Sequence, residues 1–351
     1  MTENEKINLL DCNKSALVEY ICGLGEPKYR ADQVWSWLMK GYDTDEMSNI
    51  PASLREKLSQ TSYSGLPITV DCAKSKIDGT VKYLFRLRDG ELIESVFMRY
   101  EHGNSICIST QAGCRMGCRF CASTIGGKHR DLSPGEMLGQ ITAVQRNTGE
   151  RISNIVMMGI GEPLDNYENS VAFLHLVGSA EGLNIGYRHI SLSTCGVVPG
   201  IYALAKEDLP ITLSISLHAS NDSERSELMP VNNRWNIDAL MTACRDYFKT
   251  TGRRISFEYT LINNKNDDPE KARELAALLK KYMGKMPCHV NLIPVNPVAE
   301  RGFDRAGQTR VNAFRDRLVS LGINATVRRH LGGDIDASCG QLRNRRASED
   351  F

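Results

Sequence analysis

The chain has 351 residues, 41% of them hydrophobic and 24% charged, with a formal net charge of +1. That length and apolar content suit one large catalytic domain with a smaller appendage and allow a full core. The near-neutral balance excludes binding of nucleic acid through overall charge, so any such contact must rest on local basic patches.

The opening residues, MTENEKINLLDCNKS, lack a basic region followed by an apolar run, and no stretch approaches the length of a membrane span. A cytoplasmic protein is expected. Eleven cysteines, an odd number, point to metal and redox chemistry rather than to a disulfide framework.

Residues 1–92 read as a small α/β accessory domain. Helical patterns cover Ser15 to Gly23, Tyr29 to Leu38 after the turn at Gly25-Glu-Pro27, and Ala52 to Ser59 after Ile50-Pro51. Two strands, Lys82 to Arg88 and Leu92 to Met98, flank the hairpin turn Asp89-Gly90. Tyr29, Trp35 and Trp37 could stack on bases, although aromatics at helical spacing more often belong to a core.

Cys114, Cys118 and Cys121 place three thiols within eight residues in a C-x3-C-x2-C pattern. Such a set can hold three irons of a four-iron–sulfur cluster and leave the fourth iron without a protein ligand. Structural zinc prefers four closed ligands, commonly two C-x2-C knuckles, and no second knuckle exists here. A c-type haem would need histidine after Cys121, where Ala122 stands.

Residues 93–327 read as the barrel domain, and from Ser105 onward strand and helix patterns alternate. Strands are expected at Ser105–Thr110, Ser153–Met158, His189–Ser193, Ile211–Leu217, Arg254–Thr260 and His289–Pro294. Between them lie helices such as Pro134–Thr148, Tyr167–Ser179, Asp238–Thr250, Pro269–Met283 and Gln308–Leu321. The resulting fold class is α/β, a partial (βα)6 barrel with its site at the carboxyl ends of the strands.

The later strand ends carry the polar groups such a site needs. Gly159-Ile-Gly161-Glu162-Pro163 offers close backbone approach and a carboxylate for an amino group. Alternation turns Ser191 and Ser193 to one side, and likewise Ser214, Ser216 and His218. Asn296 lies in Asn291–Pro297 at the last strand end. Residues 328–351 form a tail in which Cys339, after two acidic residues and before Gly340, reads as a solvent-reachable and reactive thiol. Cys107, seven residues before Cys114, is a second thiol near the cluster motif without being a ligand. The two together suggest a thiol–disulfide step.

The cysteine triad with Phe120 before its last member resembles the radical S-adenosylmethionine (SAM) superfamily. Taken with Cys107, Gly161-Glu162-Pro163, Leu192–Pro199, Ser216-Leu-His218, Asn291–Pro297 and Asp334–Leu342, it is similar to the RlmN/Cfr family of radical SAM RNA adenine methyltransferases. The resemblance runs from about Tyr20 to Leu342. It implies a [4Fe-4S] cluster on Cys114, Cys118 and Cys121. It further implies SAM bound by Gly161, Glu162, Ser193, Ser216, Leu217, His218 and Asn296. In that family one SAM methylates the cysteine matching Cys339; a second yields a 5′-deoxyadenosyl radical that takes hydrogen from this methyl group, and the carbon adds to adenine of the RNA. By resemblance Cys107 is the thiol that resolves the protein–RNA adduct, and Glu94 matches the family's proposed base, its alternative being an ordinary strand carboxylate. Pro163 and Ile293-Pro-Val295 look like the C2-methylating branch acting on 23S rRNA and on tRNA beside the anticodon. A flavodoxin or ferredoxin as electron donor and a monomeric state accompany that reading. The alternatives are C8 methylation conferring antibiotic resistance, an iron–sulfur RNA-binding protein without methylation, and a radical SAM enzyme acting on a protein or small molecule. Lys128-His-Arg130, Arg328-Arg-His330 and Arg343-Asn-Arg-Arg346 are the basic patches that fit an RNA partner.

Overall fold

The structure, a computed structural model, describes residues 6–342. Arg343-Asn-Arg-Arg346 lies outside the described residues. Near the N-terminus, helix α1 (Lys14–Gly23) packs on α2 (Tyr29–Leu38), and α3 (Ala52–Thr61) is tied to α1 by a hydrogen bond between Thr61 Oγ1 and Tyr20 Oη. The Asn13 side chain caps α1 by accepting from the Ala16 amide, which satisfies one of the amides a helix start leaves free. Trp35 of α2 is buried and donates its indole N–H to the Glu181 carbonyl, so it belongs to the core. Trp37 meets Tyr42 edge-on, and Tyr29 stays exposed.

One ten-stranded sheet organises the rest. Its strands are β1 (Ile68–Lys74), β2 (Val81–Arg86), β3 (Leu92–Met98), β4 (Asn104–Cys107), β5 (Ile152–Met157), β6 (Ile190–Thr194), β7 (Thr212–Ser216), β8 (Ile255–Leu261), β9 (Cys288–Pro294) and β10 (Ala325–Val327). Their spatial order follows their chain order from one edge to the other. Strands β4 to β10 are all parallel, whereas β1 to β4 pair antiparallel. The expected boundary at residue 92 falls at the head of β3, which pairs with β2. The sheet itself therefore crosses that point.

Helices α4 (Pro134–Thr148), α5 (Tyr167–Gly178), α6 (Val198–Leu204), α7 (Asp222–Leu228), α8 (Ile237–Thr251), α9 (Pro269–Met283) and α10 (Gln308–Ser320) fill the crossovers between the parallel strands. The result is the expected α/β partial barrel, six βα units with β10 as a seventh parallel strand. Caps fix the helix starts: Ser133 and Glu136 form a reciprocal capping box on α4, and Gly149 ends it in the left-handed conformation. Strand alternation then divides the sheet's faces. In β8, Ile255, Phe257, Tyr259 and Leu261 join the apolar core, and Ser256, Glu258 and Thr260 face the lumen. The paired registers Ser193 with Ser214, Ser216 with Glu258, and Glu258 with Asn291 carry that polar row across the barrel.

Strand β1 and helices α6 and α7 have no counterpart in the periodicity reading. In β1 nearly every residue of Ile-Thr-Val-Asp-Cys-Ala-Lys is exposed or half-exposed, because this edge strand buries neither face fully. No alternation can then be written into it. Among the described residues, no helix is long and apolar enough to cross a membrane.

Candidate active site

The loop after β4 carries the cysteine triad into the mouth of the barrel. Cys114, Cys118 and Cys121 line one cavity together with Gly161, Glu162, Ser193, Ser216, His218, Asn296 and Cys339. The sequence-expected ligand residues are thus brought together, with Leu217, Cys107 and Glu94 outside that wall. Leu217 is fully buried; its backbone N–H donates to the Glu258 carbonyl at 3.1 Å. Cys107 lines an adjoining cavity with Cys339, and the two cavities share Met158, Ile293, Asn296 and Arg328.

Glu94 lies on β3 two residues from Val96, the register partner of Cys107, so both occupy one face of the sheet. Its carboxylate is buried and pairs with Lys82 at 3.4 Å. Ser109 Oγ donates to the Glu94 carbonyl at 2.6 Å, tying this strand to the one bearing Cys107.

Two approach points are built from glycine. Gly161 has φ +108, and a Cβ there would lie 2.7 Å from the Gln111 backbone nitrogen. A Cβ on Gly159 would stand 2.6 Å from the Ile108 carbonyl oxygen. At Gly161 only glycine permits both the conformation and the contact, and at Gly159 the contact alone excludes a side chain. Glu162 follows, its carboxylate accepting from the Cys195 amide at 2.7 Å and the Leu164 amide at 3.0 Å. Burial raises its pKa, and those amides oppose the rise.

His218 also sits at φ +58, an uncommon conformation for a residue with a side chain. Its Nδ1 accepts from the Thr260 amide at 2.9 Å, which leaves Nε2 to carry the proton. Burial, helped by the charge of Arg225, pushes its pKa down to about 3, so the ring is neutral at any physiological pH. Burial pushes Cys114 up to about 12 and raises Cys118 and Cys121 as well. Thiols held this firmly in the protonated form become ligands when a metal replaces the proton.

The tail is fastened at both ends of its span. Asn296 Nδ2 donates to the Cys339 carbonyl at 2.9 Å, the Ala122 amide to the Gly340 carbonyl at 2.8 Å, and Ser123 Oγ to the Leu342 carbonyl at 2.8 Å. At the other end the Gly332 amide donates to Asp78 at 2.8 Å and the Lys76 amide to Asp334 at 3.0 Å. Ala337 and Leu342 pack on Val96, Met98 and Cys107 in a small apolar cluster. Cys339 is consequently half-buried rather than freely solvent-reachable. Cys107 is pushed up to about 12 by burial and by the neighbouring Cys339.

Arg328, expected to serve a surface patch, instead enters both cavities. Its guanidinium lies 3.9 Å from Glu258 and is held protonated above its ordinary value by Cys339 first, then Glu258 and Cys107. Glu258, missed by the sequence reading, is buried, accepts from Asn291 at 2.6 Å and Ser256 at 3.0 Å, and has its pKa raised by that burial. The signal existed, the one charged residue of β8, at a position that alternation turns to the lumen. Lys128-His-Arg130 is likewise not a free basic patch. Lys128 pairs with Asp131 and Asp165, His129 with Glu91, and Arg130 with Asp89 and Glu136.

The cavity suits the implied cofactors. The three thiols face it from one loop, and Asn296 Oδ1 is a buried acceptor with no partner among the described residues, as expected where a ligand's donor should sit. Among the described residues no three metal-binding side chains converge tightly enough to chelate one bare ion. An iron–sulfur cubane offers three separate irons, so its thiolates need not meet at a point.

Comparison with known proteins agrees with this geometry. Residues 7–63 match the family model of the ribosomal RNA large subunit methyltransferase N-terminal domain, and residues 108–276 match that of the radical SAM superfamily. A probable dual-specificity RNA methyltransferase RlmN of Clostridium acetobutylicum is 52% identical over 337 residues, covering 96% of each chain. Its counterpart from Desulforamulus reducens is 52% identical over 349 residues, covering 99% of this chain and 98% of its own. The crystal structure of a radical SAM methyltransferase from Sphaerobacter thermophilus superposes with a TM-score of 0.91 at 42% identity, over 96% of this chain and 99% of its own. Identity at this level over nearly the whole length covers the cluster loop, the strand ends and the tail alike. The chain therefore belongs to the RlmN family of radical SAM RNA methyltransferases, which use a [4Fe-4S] cluster and SAM.

Proposed function

We propose that this protein methylates C2 of an adenine in 23S rRNA, and in tRNA beside the anticodon, by way of a methyl group carried on Cys339. The observation that carries the reading is the shared wall: Cys339 belongs both to the cavity of the cysteine triad and to the cavity of Cys107. When bound, the cluster on Cys114, Cys118 and Cys121 and its SAM supply a radical able to take hydrogen from a methyl group. The name RlmN borne by the relatives, Pro163 and the Ile293-Pro-Val295 stretch favour C2 over C8.

The chain's own residues do the rest. Gly161, Glu162, Ser193, Ser216, Leu217, His218 and Asn296 hold SAM, with Glu162 taking the amino group and neutral His218 donating through Nε2. The Asn296 amide fixes the Cys339 carbonyl and so sets the direction of the thiol. Adenine C2 is an electrophilic amidine carbon, which cannot attack the methyl of SAM but can accept a carbon radical. The radical adduct would return one electron to the bound cluster; its release then needs a base to take the ring proton, for which Glu94 is proposed, and Cys107 to attack the Cys339 sulfur, breaking its bond to the transferred carbon, which takes up a proton to become the methyl group, and forming a disulfide. Arg328 stands beside both sulfurs and favours the thiolate in this exchange. The accessory domain of residues 1–92 binds RNA, and a flavodoxin or ferredoxin supplies electrons to a monomer in the cytoplasm.

The test is anaerobic incubation of the reconstituted protein with SAM, reductant and unmodified rRNA or tRNA, followed by nucleoside mass spectrometry. C2-methyladenosine that disappears with Cys339→Ala is the expected result. The C8 isomer would move the chain to the resistance branch, and SAM cleavage without RNA methylation would remove the RNA assignment.

A further inference from the structure

Beneath the cluster loop lies a buried cation that no step above uses. Arg225 of α7 is 0% exposed. Its Nε donates to the Leu217 carbonyl at 3.1 Å, its Nη1 to Asn232 Oδ1 at 3.0 Å, and its Nη2 to the Cys195 and Ser216 carbonyls at 2.6 and 3.1 Å. All of these acceptors are neutral. Among the described residues no carboxylate forms an ion pair with it; Asp222, one turn earlier, spends its oxygen on Asn232 and the Ile237 amide instead. Burying an unpaired guanidinium costs several kcal/mol. The natural occupant of such a place is the partner of an anion.

The site cavity is next to it: the carbonyls that Nη2 holds belong to Cys195 and Ser216, both of which line that cavity, and the guanidinium charge acts on Cys195 and Cys118 as well as on Cys244 and Asp222. The guanidinium fills the space under Gly196, where a Cβ would lie 3.3 Å from Nη2. Three thiolates outweigh the positive charge of a cubane core, so the loaded assembly is anionic, and more so once reduced.

We propose that Arg225 is the built-in counter-charge of the iron–sulfur cluster, favouring both cluster loading and the reduced state. It is a positioning and tuning residue, touching neither SAM nor RNA, and its backbone contacts clip the strand ends at Cys195 and Ser216. The inference rests on the assignment of Cys114, Cys118 and Cys121 as cluster ligands. Removing the charge makes the cluster harder to reduce, whereas keeping it on a differently shaped side chain does not.

The test reconstitutes the wild-type chain, Arg225→Met and Arg225→Lys with iron and sulfide. It reads the midpoint potential by an equilibrium redox titration followed by electron paramagnetic resonance, and the gain in unfolding temperature on cluster loading. Expected are a more negative potential and a smaller gain for Arg225→Met, with Arg225→Lys near wild type in both. If Arg225→Met loads no cluster but Arg225→Lys does, the charge is again what matters. Equal behaviour of the two variants, whether both match wild type, both shift or both fail to load, overturns the proposal and leaves Arg225 a backbone clip. A wild-type chain that takes up no cluster would instead sink the thiol assignment beneath it.

Discussion

Replacing Gln140 by leucine removes a clamp at the root of the site while keeping side-chain size. Gln140, on α4, is fully buried. Its Oε1 accepts from Ser95 Oγ at 2.7 Å and the Ser109 amide at 2.8 Å, and its Nε2 donates to the Ser109 carbonyl at 2.9 Å. It thereby ties α4 to β3 and to the chain leaving β4 just beyond Cys107. Leucine leaves those three groups without this partner in a dry interior, at about 1–3 kcal/mol each, against a gain of about 2 kcal/mol from burying a more apolar side chain. The expected net loss is about 3 kcal/mol, a sizeable share of the roughly 5–15 kcal/mol that holds a typical protein folded. Equilibrium urea unfolding of the cluster-free chain, followed by circular dichroism, measures it as a lower midpoint at unchanged slope. A loss below about 1 kcal/mol would show that the clamp is replaceable and refute the assigned importance of these bonds.

Acidification should act through His218. Its pKa in the folded chain, about 3, lies below the ordinary histidine value, so only the unfolded chain takes up the proton as pH falls through 6.5. The stability present above 6.5 is then lost progressively toward pH 3. Relative to His218→Gln, the wild type should lose about 2 kcal/mol between pH 6.5 and 5, and parallel stability curves over that range would contradict the burial argument. Gly161→Ala should weaken SAM binding at least tenfold by equilibrium dialysis, because its Cβ would meet Gln111 at 2.7 Å in a conformation side chains avoid; unchanged binding would mean that the loop gives way. Asp78→Ala removes the acceptor for the Gly332 amide and should quicken alkylation of Cys339 severalfold, read by peptide mass spectrometry, with no change for exposed Cys22 as internal control. Identical labelling would show that the remaining contacts suffice to hold the tail.

Features that depend on near neighbours in the chain are legible in the sequence alone. The triad's spacing announces a cluster by itself, and alternation in β6 and β7 turns Ser193 and Ser216 into the cavity. What escaped depends on pairings between distant segments. Local composition makes Lys128-His-Arg130 basic, but Asp89 and Glu91 on the β2–β3 hairpin turn neutralise two of its three residues. Arg328 reads as surface charge until β10 is known to deliver it beside Glu258. Arg225 sits in a short helix whose pattern gives no hint that three neighbouring loops will close over it. The tail's acidic, glycine-rich composition suggests freedom, yet its anchors at Asp78 and Lys82 lie 254 residues earlier in the chain. Composition cannot report a partner so far away.

The neighbour-by-neighbour layout of the sheet bears on how the protein is made. Each strand docks beside the one synthesised before it, so a chain emerging from the ribosome can extend the sheet in a single direction without waiting for a later strand to insert. The triad at residues 114–121 is made early and the thiol at 339 after every strand. During synthesis the cysteine loop thus waits beside an unfinished barrel, open to oxygen and stray metal. Only when the last segment lies across β3 and the cysteine loop is the chamber roofed, and nascent chains stopped short of that point carry the cysteine triad but not Cys339.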